Sequence, residues 1–135
     1  MVRIDVRYEG GLHCQAVHEP SGETLGTDAP VDNHGRGQTF SPTDLVATAL
    51  ATCMATTMGI VADRHGWKID GASLAVTKEM TSDGPRRIRR LAVTIDCPAP
   101  ADADAKKTLE QTAHHCPVRI SLLPAIEVPV EFRWR

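Results

Sequence analysis

At 135 residues, 41% apolar and 24% charged, the chain has the size and composition of one domain, residues 1–135. That is large enough for a core but near the size at which a partner subunit adds much of the burial. A net charge of −2 and only 4% aromatic residues give no electrostatic or stacking basis for nucleic acid or an anionic membrane, so neither is expected as a partner. The N-terminus alternates charged and apolar residues without the apolar run of a secretory signal, and a cytoplasmic protein is expected. There, four cysteines are core residues, metal ligands or catalytic thiols before they are permanent disulfides.

Val2, Ile4, Val6 and Tyr8 alternate with Arg3, Asp5, Arg7 and Glu9, the period of a strand with one face buried. Gly10-Gly11 predicts a turn, Leu12 to His18 a second strand, Pro20 to Gly22 another turn, and Glu23 to Thr27 a short third strand. Residues 28–41 hold Pro30, Asp32, Asn33, Gly35 and Gly37 and read as a mobile loop. Ser41 then caps a helix whose first residue is Pro42, and Asp44 completes a Ser-x-x-acid capping box. His65 lies in the last turn, and Gly66 offers the left-handed residue that ends helices. The 18 residues from Leu45 to Ala62 carry no formal charge, which touches the lower limit for a membrane span. Thr48, Thr52, Thr56, Thr57 and Gly59 dilute that stretch, and Asp44 and Asp63 flank it. The expectation is a long helix, about 42–65, packed on most sides within the domain or against a second subunit.

Trp67 to Met80 reads as a strand, Ser82-Asp83-Gly84-Pro85 as a turn, and a second strand runs through Leu91, Val93 and Ile95. Asp102 to His115 is made of helix formers, with Leu109 and Ala113 as a narrow apolar face. Cys116-Pro117 interrupts it. Proline is tolerated best at the first helical position, so Val118 to Leu122 reads as a short helix capped by Cys116. The alternation from Ile126 to Trp134 predicts a final strand, which Pro129 places at an edge or on a bulge.

A free cysteine is only about 3% thiolate at neutral pH, so a reactive one needs a cation, a helix N-terminus or a base. Cys116, at a helix start, sits where the dipole favours a thiolate. Cys53 lies about twelve residues beyond its helix cap, so its activation must come from the preceding loop, where Arg36 is the nearest cation in sequence, or from a facing subunit. A cysteine in an apolar helix is more often an inert core thiol, and Cys14 and Cys97, in strands without a motif, take that reading. His114-His115-Cys116 looks metal-like, but adjacent helical residues point about 100 degrees apart and no Cys-x-x-Cys is present, so no metal or bound cofactor is expected. His115 is placed instead as a hydrogen-bonding or electrostatic neighbour of Cys116. Arg86, Arg87, Arg89 and Arg90 read as a solvated strand end able to steer an anionic substrate or dock an acidic partner.

The helix start Ser41-Pro42-Thr43-Asp44-Leu45 running on to Cys53, followed 63 residues later by His115-Cys116-Pro117-Val118, resembles the OsmC/Ohr family of osmotically inducible and organic hydroperoxide resistance proteins. That resemblance implies an α+β fold of antiparallel sheets around a long buried central helix, in an intertwined homodimer with its sites at the subunit interface. It also implies a thiol-dependent peroxidase. Cys53 would attack the O–O bond of an organic hydroperoxide or hydrogen peroxide and become a sulfenic acid, and Cys116 would condense with it to a disulfide. The reductant implied is an external dithiol, a lipoyl group in Ohr-type members. Peroxidatic members set the cysteine beside a loop arginine and a glutamate ten residues earlier. Here position 43 is Thr43, Asp44 lies one step further around the helix, and Val31 falls near the arginine's place with Arg36 closer to the helix. The chain looks more like the less characterised OsmC-like branches, with Arg36, Asp44 and His115 as supporting residues. The missing glutamate favours a rival reading, a non-catalytic protein that keeps the fold and holds a small apolar or thiol-containing ligand in the dimer-interface pocket.

Overall fold

The computed structural model describes all 135 residues, which form two compact units, residues 1–46 and 47–135. In the first, strands β1 (Ile4–Gly10), β2 (His13–His18) and β3 (Thr24–Asp28) make an antiparallel meander in chain order. The β1–β2 corner is built from Gly10, Gly11 and Leu12, all with positive φ. The register pairs Val6 with Ala16 and Ala16 with Leu25, and Tyr8 with Cys14. Because side chains alternate, Ile4, Val6, Tyr8, Cys14, Ala16 and Leu25 share one face. The sequence pattern calls for that face to be buried, yet Ile4, Val6 and Tyr8 are 59%, 66% and 63% exposed. A single chain supplies no layer to cover them.

Residues 29–40 are more ordered than their turn-forming composition implies. A 3-10 turn at Val31–Asn33 is followed by Gly35 N–H bonding to the Pro30 carbonyl at 2.9 Å and Gly37 N–H to the Ala29 carbonyl at 3.2 Å. A Cβ on Gly35 would lie 1.7 Å from the Ala29 oxygen, so only glycine permits this approach.

Helix α1 (Pro42–His65) begins and ends as its sequence dictates. Asp44 N–H donates to Ser41 Oγ at 3.1 Å and Ser41 N–H to Asp44 Oδ2 at 2.9 Å, a reciprocal capping box. At the other end Trp67 N–H bonds to the Ala62 carbonyl and Gly66 N–H to the Asp63 carbonyl, with Gly66 at φ 69°, the paired bonds of a Schellman stop. Ala47, Leu50, Met54, Met58 and Ala62 form its one buried stripe, whereas Thr52, Thr56 and Ile60 are exposed. Within one chain the helix is therefore fully buried along one face, partly covered beside it, and open along the Thr52, Thr56 and Ile60 flank. By length and composition alone it could cross a membrane; a core helix with this stripe passes the same test.

In the second unit β4 (Ser73–Met80) pairs antiparallel with the central strand β5 (Ile88–Cys97). Strand β4 starts six residues later than its pattern implies, because Gly71, at φ 85°, turns the chain just before it. Strand β6 (Val130–Trp134) lies on the other side of β5 and runs parallel to it, which corrects the all-antiparallel expectation. The chain returns through α2 (Ala105–His114) and α3 (Pro117–Leu122), and a helical crossover delivers the next strand in the same direction. Pro129, lacking an N–H, sits just outside this edge strand and offers its carbonyl to Val93 N–H at 2.9 Å. Leu50, Met54 and Met58 of α1, Leu91, Val93 and Ile95 of β5, and Leu109 of α2 are 2% exposed or less and make the core. Each such side chain contributes about 1.5–3 kcal/mol by leaving water.

Candidate thiol site

Two of the four cysteines meet. Cys53 is carried on α1 at the flank of its buried stripe and is half-buried; Cys116 is the N-cap of α3 and wholly buried. The Cys116 and Cys53 side chains are neighbours close enough for one thiol to act on the other, and both are free. Cys116 Sγ also accepts the N–H of Arg119 at 3.4 Å. Burial is the largest influence on the Cys116 thiol and pushes it above the ordinary thiol value. The N–H groups of Arg119 and Val118 pull it down and the neighbouring Cys53 pushes it up, and the net direction is up. A thiolate favoured by the helix start is thus the wrong expectation for Cys116. Helix α3 has only six residues, and loss of water outweighs what its short dipole supplies.

The corner that presents Cys116 is a two-residue link between α2 and α3. His115 closes α2: its N–H reaches the Gln111 and Thr112 carbonyls, and its ring Nδ1 donates to the Gln111 carbonyl at 2.7 Å. That ring is exposed and engaged with its own helix. Arg119 Nη1 donates to the His114 carbonyl at 3.0 Å. His114 is held below its ordinary value, first by burial and then by the Arg119 charge; its ring meets Phe132 edge-on at 5.7 Å.

Arg36 and Asp44 lie in residues 1–46. The Arg36 guanidinium rests over Gly11, where a Cβ would come within 2.8 Å of Nη2. Its charge acts on Asp28, which is 3% exposed and accepts His13 Nδ1–H at 2.6 Å and Gln38 N–H at 3.1 Å. The His13 hydrogen bond is the chief reason that Asp28 is held below the usual carboxylate range. Asp44 has one carboxylate oxygen in the α1 capping box. No residue type in Arg119 or in the His13–Asp28 pair marks it in sequence. Position does: Arg119 stands three residues past a capping cysteine, and the β2–β3 register places His13 opposite Asp28.

The other two cysteines have different surroundings. Cys97 is 1% exposed, its Sγ–H donates to the Pro98 carbonyl at 3.6 Å, and burial pushes its thiol up. Cys14 lies on the apolar face of the first sheet, opposite Tyr8. The arginine cluster is partly neutralised, Arg89 bonding to Glu79 at 2.9 Å and Arg90 standing 3.4 Å from it. No three His, Cys, Asp or Glu side chains are grouped to hold a metal ion. An apolar groove of about 230 Å³ runs between α1 and the second sheet, lined by Ala55, Met58, Gly59, Leu74 and Ile95 among others.

Residues 35–131 match the family described as OsmC-like protein. The chain is 42% identical to a Psychrobacter arcticus 273-4 protein of known structure that carries the provisional description of an osmotic stress induced and detoxification response protein; the alignment covers 98% of this chain and 96% of that one, with a TM-score of 0.90. More distantly, and showing the fold alone, it is similar to the organic hydroperoxide resistance protein OsmC of Legionella pneumophila, at 16% identity, 98% and 96% coverage and a TM-score of 0.76. The corresponding values for the organic hydroperoxide resistance protein OhrB of Bacillus subtilis are 20%, 98% and 98%, and 0.73. No curated protein matches the chain significantly.

Proposed function

Because the chain belongs to the OsmC-like family, we propose that it is a thiol-dependent hydroperoxide reductase working through Cys53 and Cys116. The observation that carries this reading is the juxtaposition of two free thiols, one half-buried, the other fully enclosed. The less buried partner is the one a substrate meets, so Cys53 attacks. Its sulfur bonds to one oxygen of ROOH as the O–O bond breaks, ROH leaves with a proton, and the sulfur gives up two electrons to become a sulfenic acid. The Cys116 sulfur then displaces hydroxide from that sulfenic acid, which departs with the Cys116 proton as water, and the disulfide is complete. An external dithiol, a lipoyl group being one such donor, returns two electrons in two exchange steps and restores both thiols.

In this reading the protein is a cytoplasmic homodimer. The open apolar face of β1 and the exposed, uncharged flank of α1 support a second copy as what covers them. Arg36, on an ordered loop, and Asp44, at the start of the Cys53 helix, serve as supporting groups, and His115 braces the end of α2 beside Cys116.

The test is stopped-flow mixing of the reduced protein with an organic hydroperoxide at pH 7. Two thiols per chain should be lost and a disulfide formed, and Cys53→Ser should slow peroxide consumption by about 100-fold or more. An unchanged rate in Cys53→Ser, or no disulfide in the parent protein, overturns the proposal. Thr43, where peroxidatic relatives carry glutamate, favours a second reading, a ligand-holding protein without turnover; its mark in the same experiment is full retention of thiols.

A further inference from the structure

We infer that Arg119 is a positioning residue for Cys116, clamping the α2–α3 corner so that the Cys116 sulfur is presented to Cys53. The function of that clamp rests on the proposed thiol chemistry.

Helix α2 ends at His114 and α3 begins at Pro117, so the last carbonyls of one helix and the first N–H groups of the next face a link of two residues. Such terminal groups have no partner within their own helix. Arg119 serves both ends. Its backbone N–H donates to Cys116 Sγ at 3.4 Å, and its Nη1 donates to the His114 carbonyl at 3.0 Å. One residue thereby ties the sulfur's own helix to the end of the preceding one. Pro117 brings no N–H to this turn, which leaves Val118 and Arg119 as the donors that bear on the Cys116 thiol.

A second observation points the same way. Arg119 Nε is buried without a hydrogen-bond partner, a costly state for a charged donor. A side chain with only a packing role would turn this donor to water or be replaced by an apolar one. Here the guanidinium is drawn inward to reach the His114 carbonyl, and the orphaned Nε is the consequence. The carbonyl end of the clamp is itself anchored, because the His114 ring packs edge-on against Phe132 of β6, and Trp134 Nε1 on that strand donates to Glu110 Oε1 of α2 at 2.9 Å.

The chemistry gives the clamp its purpose. Closing a disulfide requires a narrow torsion and a sulfur separation of about 2 Å, so a corner free to drift by about 1 Å lowers the closure rate steeply. Attack of Cys53 on peroxide forms and breaks no bond at the corner. The clamp therefore acts on the second step and not on the first.

The experiment follows both steps in the full chain for the parent, Arg119→Ala and Arg119→Lys, trapping the Cys53 sulfenic acid with a dimedone reagent and timing disulfide closure by acid quench and mass spectrometry. Sulfenylation should stay within about twofold of the parent in both variants, while closure slows about tenfold or more in Arg119→Ala and recovers in part in Arg119→Lys, whose ammonium still reaches the His114 carbonyl. Closure at the parent rate in Arg119→Ala, equal loss of both steps, or a lysine variant no better than alanine overturns the inference. Repeating closure with diamide, which takes two hydrogens from a dithiol without peroxide, separates the two claims. If hydroperoxide leaves the parent untouched but diamide closure still slows in Arg119→Ala, the proposed reaction fails and the clamp stands.

Discussion

Two buried sulfurs in the second unit, Cys116 at the α2–α3 corner and Cys97 at the end of β5, share almost everything that burial imposes. Cys116 is wholly buried and Cys97 is 1% exposed, and loss of water pushes both thiols up. They differ in what stands next to them. The Cys97 proton is given to a carbonyl of its own chain neighbour, Pro98, and the charges that act on it, Arg135 and Asp96, oppose each other. Cys116 receives N–H groups from its own helix and has a second thiol as its neighbour. Burial thus pushes both thiols the same way, and only their neighbours distinguish them.

The sharpest way to break this contrast is to remove each sulfur in turn. Cys116→Ser should leave the first oxidation of Cys53 intact and strand it as a sulfenic acid, lowering dithiol-supported turnover by about 10- to 100-fold, whereas Cys97→Ser should leave turnover within about twofold. Peroxide turnover assays with sulfenic-acid labelling read both. Equal losses would mean that the neighbour is irrelevant.

A second test uses pH. Both thiols have folded values raised above the ordinary 9.0, so the fold favours their neutral forms. The stability this contributes is present below the unfolded value and is lost as pH rises through the folded one. For Cys116 the same titration supplies the attacking thiolate, so closure of the disulfide should accelerate about tenfold per pH unit until its raised value is reached. Alkylation of Cys97 should stay slow over that range because its sulfur is enclosed. A closure rate that is flat from pH 6 to 9 would remove the link between burial and the second step.

The smallest effect concerns the subunit partner. Val6 is 66% exposed on the apolar face of β1; Val6→Asp should halve the mass seen by light scattering and slow Cys53 oxidation severalfold, with Cys97 labelling unchanged. A variant that keeps the parent's mass would mean that a second copy does not cover this face.

How much of this was legible in the sequence follows from the range of the interactions. The capping box of Ser41 and Asp44, the stop at Gly66 and the capping role of Cys116 are bonds between residues three to five apart, and local pattern gives them away. The parallel pairing of β6 with β5 is not local. Alternation from Ile126 to Trp134 specifies a strand, but its direction depends on a helical crossover elsewhere in the chain. Periodicity likewise marks the inner face of β1 without saying that the covering layer is missing from this chain. At the site, the resemblance carried by Cys53 and Cys116 selects two neighbouring cysteines, while the helix start points the wrong way for the Cys116 thiol because burial competes with it and composition does not report burial. Arg119 stayed hidden because its contact runs backward across a helix break to a carbonyl, the one group that every residue possesses.

The most direct measurement is peptide mapping under non-reducing conditions after the reduced protein has received one equivalent of an organic hydroperoxide. The account predicts a single new cross-linked species joining the peptide of Cys53 to that of Cys116, with Cys14 and Cys97 recovered as free thiols. A cross-link involving Cys97 or Cys14, or four free thiols after exposure, would contradict it.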